Sequence, residues 1–184
     1  MDALAARFRP RIVTLAPELP GALGAIRRLA RSGAAVACGH TDAGLEEGRA
    51  AIEAGARLLT HALNPMRGIE PRAPSALVAF LGDRRAHVSL IGDGVLAGGA
   101  APLWQGVRTL VDAGIPLGAA LAAACIAPRR LLGLAPGLGA GDPADLVVLD
   151  AGLMPRLTLV GGAVALADLA LPFDVPEPGR PFRA

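Results

Sequence analysis

The sequence predicts an α/β fold in which a parallel sheet is covered by helices. Three observations carry this reading. Several short runs are apolar almost without interruption, as strands buried on both faces are. The segments between them repeat apolar residues at a helical period, and strand and helix alternate in units of about 20 residues. Such units suit a (β/α) barrel or a doubly wound sheet, and the pattern by itself leaves both open.

The elements follow in order. Ile12 to Leu15 is the first strand, ending at Ala16-Pro17-Glu18. Leu23, Ile26 and Leu29 put one apolar face on a helix over Gly21 to Arg31, which Ser32-Gly33 stops. Ala34 to Cys38 is a fully apolar strand followed by Gly39-His40-Thr41-Asp42. Asp42 is expected to cap a helix running to Ala54, with Glu46 and Glu47 favourably placed in its first turn. Gly55 ends that helix, and Arg57 to Thr60 is the strand that delivers His61. A helix over Pro74 to Leu81 leads to the strand His87 to Ile91. Beyond Gly94 the pattern changes to three successive helices, Pro102 to Ala113, Pro116 to Cys125 and Ala127 to Leu134. Gly133 to Gly141 is glycine-rich, Asp145 to Leu149 and Leu157 to Val160 are short strands joined by a turn, and the proline-rich tail is irregular.

Composition narrows the function. With 53% hydrophobic and 18% charged residues the chain has material for a core and no signature of global disorder. Aromatics are 3%, without Tyr, so Leu, Val, Ile and Ala must build that core. The net charge of +2 lies on scattered Arg with no basic block, which argues against nucleic-acid binding. Cys38 and Cys125 do not make a disulfide framework. The first residues lack the apolar core of a signal peptide, and no apolar run reaches bilayer-spanning length. A cytoplasmic protein without a membrane span is expected.

His40 and His61 each stand just past the end of an apolar strand, which in a parallel barrel is the end where active sites assemble. One such His is readily a packed residue. Two at successive strand ends bring a divalent metal level with ordinary packing as a reading, because neutral imidazole is a favoured ligand for zinc, iron, cobalt or nickel. They do not complete a site, since a catalytic zinc takes three protein ligands plus water. His87 opens a strand and is expected to point away from this face as a structural residue. Gly137-Leu138-Gly139-Ala140-Gly141 follows a helix instead of linking strand to helix, so it reads as a turn and not a phosphate cradle.

Successive motifs then match one family. Val13-Thr14-Leu15-Ala16-Pro17-Glu18, Gly39-His40-Thr41-Asp42-Ala43 and Leu59-Thr60-His61-Ala62-Leu63-Asn64-Pro65-Met66 resemble, in order and spacing, motifs of the N-acetylglucosamine-6-phosphate deacetylases. These are metal-dependent (β/α) barrel hydrolases of the amidohydrolase superfamily. Residues 68–74, Leu90-Ile91-Gly92-Asp93-Gly94, Leu96-Ala97-Gly98-Gly99, the Ala127 to Leu134 helix and the Gly141 to Leu149 segment continue the likeness, which covers residues 12 to 165. The resemblance implies a divalent metal, zinc or iron, on His40 and His61, with Asn64 and Arg72 contacting an amino-sugar phosphate. It implies three parts: a partial TIM barrel over 1–134, a remnant of the C-terminal β-sandwich over 135–170, and the irregular tail 171–184. Four barrel strands are too few to close, so exposed strand edges are expected to favour a homo-oligomer or a separately encoded N-terminal half.

Departures from the family pattern matter as much. The sequence opens after the family's small β-domain and its His-x-Glu-Gly-Pro segment, whose Glu binds the metal. Glu18 is not that ligand and reads as a strand-end structural residue supporting the site. Gly94 runs straight into Val95, so the Thr-Asp-Ala strand end that carries the family's catalytic acid/base has no counterpart. Leu96 stands where the family has a substrate-contacting His. Asp93 is the one carboxylate nearby, a candidate catalytic residue beside its simpler reading as an Asp-Gly turn. The implied activity is hydrolysis of the N-acetyl amide of N-acetylglucosamine-6-phosphate, impaired or absent in this form. The alternative is a non-catalytic module, or half of a split enzyme, that binds metal or sugar phosphate.

Overall fold

The computed structural model describes residues 8–91, 101–135 and 137–168. Asp93, the Gly94–Val95 junction, Leu96 to Gly99 and the proline-rich tail lie outside the described residues. The chain divides into two compact units, Met1–Ala100 with Leu131–Gly133, and Ala101–Arg130 with Leu134–Ala184.

The first unit alternates strand and helix: β1 (Ile12–Leu15), α1 (Ala22–Arg31), β2 (Ala35–Cys38), α2 (Leu45–Ala54), β3 (Ala56–Leu59), α3 (Ala76–Gly82) and β4 (His87–Val88). All pairings are parallel and the sheet order is β1-β2-β3-β4. Each strand therefore lies beside its predecessor. A doubly wound sheet reverses its order at a switch point; this one does not, and the fold is a partial (β/α) barrel. Ile26, Leu29, Val36, Cys38, Ala51, Ile52, Leu59, Leu77 and Phe80 form one core between sheet and helices. Among the described residues Phe80 is the largest fully buried side chain.

Small residues set the helix spacing. A Cβ on Gly48 of α2 would lie 2.8 Å from the Ala76 Cα and 3.0 Å from the Cβ atoms of Ala76 and Ala79 in α3. Gly48→Ala should therefore destabilise. Overpacking against a backbone atom belongs high in the range of about 1–3 kcal/mol, above the roughly 1 kcal/mol that Ala gains over Gly within a helix. A fall in the urea midpoint checks this, and an unchanged or raised midpoint would contradict it.

Two expectations are corrected here. Asp42 does not cap α2: the N-cap is Gly44, whose N–H donates to the Glu47 carboxylate at 2.7 Å. Asp42 is elsewhere engaged, its carboxylate gripped by Arg67 and its N–H given to Glu18. The fourth strand spans only His87–Val88: the Ser89 N–H still donates to the Leu59 carbonyl at 2.9 Å, but the Ser89 carbonyl and hydroxyl turn to the loop after β3 and accept the Ala62 and His61 N–H groups. His87 is half-buried in that strand, in register with Leu58.

In the second unit α4 spans Leu103–Asp112. α5 (Leu117–Leu121) passes through a π turn (Ala122–Ile126) into α6 (Ala127–Leu131), so two of the expected helices are one continuous helical run. The widened turn precedes Pro128, which has no N–H to offer the carbonyl four residues earlier. β5 (Leu146–Leu149), β6 (Pro155–Val160) and β7 (Ala163–Ala167) form an antiparallel sheet in that order, with Leu157, Leu159 and Val164 buried. β7 was not expected from the sequence, although the Gly161-Gly162 pair before it is a recognisable hairpin signal. The glycine-rich stretch before β5 is a turn, with the Gly139 N–H donating to the Asp142 carboxylate at 2.8 Å. Among the described residues no helix is long and apolar enough to cross a membrane.

Candidate metal centre

The register of the sheet brings the two histidines together. Cys38 and Leu59 are partners across β2 and β3. His40 and His61 each follow two residues later, so both emerge at the carboxyl end of adjacent strands with the same offset. Their Nε2 atoms are 3.1 Å apart, and the rings meet edge to face with centroids at 4.3 Å. Both backbones are left-handed, with φ 49° at His40 and 40° at His61. Non-glycine residues rarely adopt that conformation, and it persists only where the surroundings hold it.

What holds His61 is visible. Its N–H donates to the Ser89 Oγ at 2.8 Å, and the following N–H, of Ala62, donates to the Ser89 carbonyl at 2.8 Å. The ring Nδ1 bonds the Thr60 carbonyl. A carbonyl only accepts, so Nδ1 carries a proton, and in the neutral ring Nε2 is then left with its lone pair towards His40. This is how a second hydrogen bond fixes the tautomer of a metal-ligating His. Gly39 makes room for the ring: a Cβ there would lie 2.5 Å from the Thr60 Cγ2 and 3.1 Å from the His61 Cε1.

The loop bearing His40 is held from the other side. Glu18, three residues beyond β1, accepts hydrogen bonds from the Thr41 hydroxyl at 2.5 Å and from the Asp42 N–H at 2.9 Å. Partial burial pushes its carboxyl up, but these two bonds, together with one from its own backbone N–H, outweigh that and hold it below the usual carboxylate range. The Arg67 guanidinium forks onto the Asp42 carboxylate and lowers its pKa in turn. Cys38 is not a ligand candidate, since burial, with a smaller contribution from Glu18, pushes its thiol up to about 12.

Thr14, Leu15, Ala16, Gly39, His40, Thr60 and His61 line an open hollow of about 480 Å³ at this strand end. The donor set suits part of a metal site. Two imidazole nitrogens on one tetrahedral zinc, each bonded at about 2.0–2.1 Å, stand roughly 3.3 Å apart, close to the spacing seen. Among the described residues no group of three or more His, Cys, Asp or Glu gathers around a metal position. Asn64, half-buried, donates its N–H to the His61 carbonyl at 3.0 Å and so sits on the same loop, one turn on. Arg72 is exposed further along the connection from β3 to α3. Sequence reasoning missed Ser89 altogether, and no local motif marks it; it named Glu18 without finding its partners.

Known proteins carry the same framework. The chain is 36% identical to the N-acetyl-D-glucosamine-6-phosphate deacetylase of Mycobacterium smegmatis, whose crystal structure superposes with a TM-score of 0.79 over 88% of this chain and 56% of that one. An aspartate-to-alanine mutant of that enzyme, in complex with N-acetyl-D-glucosamine-6-phosphate, gives a TM-score of 0.76 at 34% identity, over 84% of this chain and 57% of that one. The Escherichia coli O157:H7 N-acetylgalactosamine-6-phosphate deacetylase is 46% identical over 84 residues, 46% of this chain and 22% of that protein. The Bos taurus N-acetylglucosamine-6-phosphate deacetylase is 30% identical over 217 residues, 83% of this chain and 53% of that protein. This chain spans little more than half the length of the relatives that match most of it. The bovine alignment is also longer than the 184 residues available here, so that relative carries internal stretches with no counterpart. Residues 72–175, more than half of the sequence, match the amidohydrolase family, and with the sugar-phosphate deacetylases as its relatives the chain belongs to that family.

Proposed function

We propose that this chain carries the metal and sugar-phosphate face of a metal-dependent amide hydrolase for N-acetylglucosamine-6-phosphate, which yields glucosamine-6-phosphate and acetate. The carrying observation is the pair of facing Nε2 atoms at 3.1 Å, set by register and held by hydrogen bonds. His40 and His61 would hold the ion, zinc or iron. When bound, a divalent ion there supplies Lewis acidity towards an amide carbonyl and makes water more acidic. Arg72, always charged and forked, suits the phosphate. Asn64 can both donate to and accept from the sugar, and Asp93 is the one candidate for moving a proton. The two-histidine donor set and the gapped bovine alignment favour a second reading of the same site, a module that binds metal and sugar phosphate without turning it over.

Both readings require phosphate recognition. With zinc present, the chain should bind N-acetylglucosamine-6-phosphate more tightly than unphosphorylated N-acetylglucosamine. Arg72→Gln should erase about tenfold of that preference, the low end for a hydrogen bond to a charged group because Arg72 is exposed. Calorimetric titration of the four combinations measures it. Equal affinities for the two sugars in the wild type would remove the phosphate from the proposal.

A further inference from the structure

We infer that Glu18 is a positioning residue that fixes the His40 loop at the distance from His61 that a shared ion requires, an inference that rests on the metal reading above. Glu18 leaves β1 and reaches across to the loop after β2, where its two oxygens take the Thr41 hydroxyl and the Asp42 N–H, the first groups beyond His40. Thr41 is buried, and its Oγ also accepts the Ala43 N–H at 3.1 Å. The grip continues to the loop after β3: Thr41 forms a bridge with Met66, and Asp42 holds Arg67. The loops after three successive strands are thus tied in series, and both histidines lie inside the span.

The need for such a tie is local. His40 is exposed and its backbone is left-handed, so neither burial nor intrinsic preference keeps it where it is. A carboxylate suits the task because bonds to an ionised acceptor are shorter and stronger than neutral ones. A residue that merely stabilised the loop end would change the melting of the protein. A positioning residue must also change how the metal is held.

The experiment titrates the full chain with Co(II), reading affinity and the visible absorption of the bound ion, in wild type, Glu18→Ala, Glu18→Gln and Thr41→Val. Hydrogen exchange over residues 39–44 and a thermal melt accompany each titration. Glu18→Ala and Thr41→Val should weaken Co(II) binding about 10- to 100-fold, the range for groups that orient a metal ligand, alter the absorption band and speed exchange over 39–44. Glu18→Gln should recover part of the affinity, since its amide oxygen still accepts the Asp42 N–H. A folded Glu18→Ala with wild-type affinity and absorption overturns the inference, as does a lowered melt with unchanged affinity. If Glu18→Ala does not fold, Glu18→Gln and Thr41→Val decide by the same readings. If the wild type binds no cobalt, the metal reading falls and this inference falls with it, whereas a wild type that binds cobalt while the variants match its affinity overturns the inference alone.

Discussion

Replacing His61 by alanine should weaken zinc binding by more than about 100-fold. Loss of a hydrogen bond that only orients a ligand costs roughly 10- to 100-fold, and here the ligand itself goes. Only His40 and water would remain to the ion among the described donors. The wild-type pair offers Nε2 atoms 3.1 Å apart, with the His61 lone pair already presented because Nδ1 is committed to the Thr60 carbonyl. A second reading of the same effect is thermal. An ion that binds only the folded chain stabilises it by about 2.7 kcal/mol when present at 100 times its dissociation constant. Zinc should therefore raise the Tm of the wild type and leave that of His61→Ala nearly unmoved. Identical isotherms for the two proteins would sink the shared site.

Much of this geometry is legible in the sequence because parallel sheets have a simple grammar. Ala34 to Cys38 and Arg57 to Thr60 read as strands from their apolar runs, so a His just past each had to emerge at the same end of the sheet. What periodicity could not show is which side chains meet across long sequence gaps. Asp42 has the right chemistry for a helix cap, and local rules assign it that role. Arg67, 25 residues later, takes its carboxylate instead, and the helix begins at Gly44. Glu18 lies 23 residues before Thr41, and Ser89 lies 28 residues after His61. Neither partnership has a local signature. The same holds for the fourth strand. His87 to Ile91 has strand composition, but the ladder ends at the Ser89 N–H, the Ser89 hydroxyl serves the His61 N–H, and Leu90 is left exposed.

The left-handed backbones explain why the supporting bonds matter more here than at an ordinary strand end. A residue with positive φ relaxes once its ties are cut, and both histidines have positive φ. Ser89 and Glu18 act on opposite sides of one pair: the first secures the His61 backbone, the second the residues that follow His40. Gly39 lies between them and keeps the path of the His61 ring clear. The proposed metal position would thus be specified by residues from all four strand ends of the partial barrel, although only two of those ends bear a histidine.

The chain by itself should release little or no acetate from N-acetylglucosamine-6-phosphate, even with zinc or iron supplied. Hydrolysing an amide needs a group that takes a proton from water and returns it to the departing amine, and such a group contributes roughly a hundred- to ten-thousand-fold. In the resembled family an Asp in a Thr-Asp-Ala strand end does this. Here Gly94 is followed directly by Val95, and that stretch has no counterpart. The proposed ligands among the described residues are two histidines without a carboxylate, so the ion that would prepare the water would also be loosely held. Both deficits strike one step, while the contacts proposed for Arg72 and Asn64 would be untouched by either. Asp93 is the single candidate that would restore proton transfer. An acetate-release assay on the wild type and Asp93→Asn, with and without metal, separates the outcomes. Baseline release from both proteins leaves a binding face without turnover. Clear metal-dependent turnover that Asp93→Asn abolishes would instead make Asp93 the acid/base and the chain a working hydrolase.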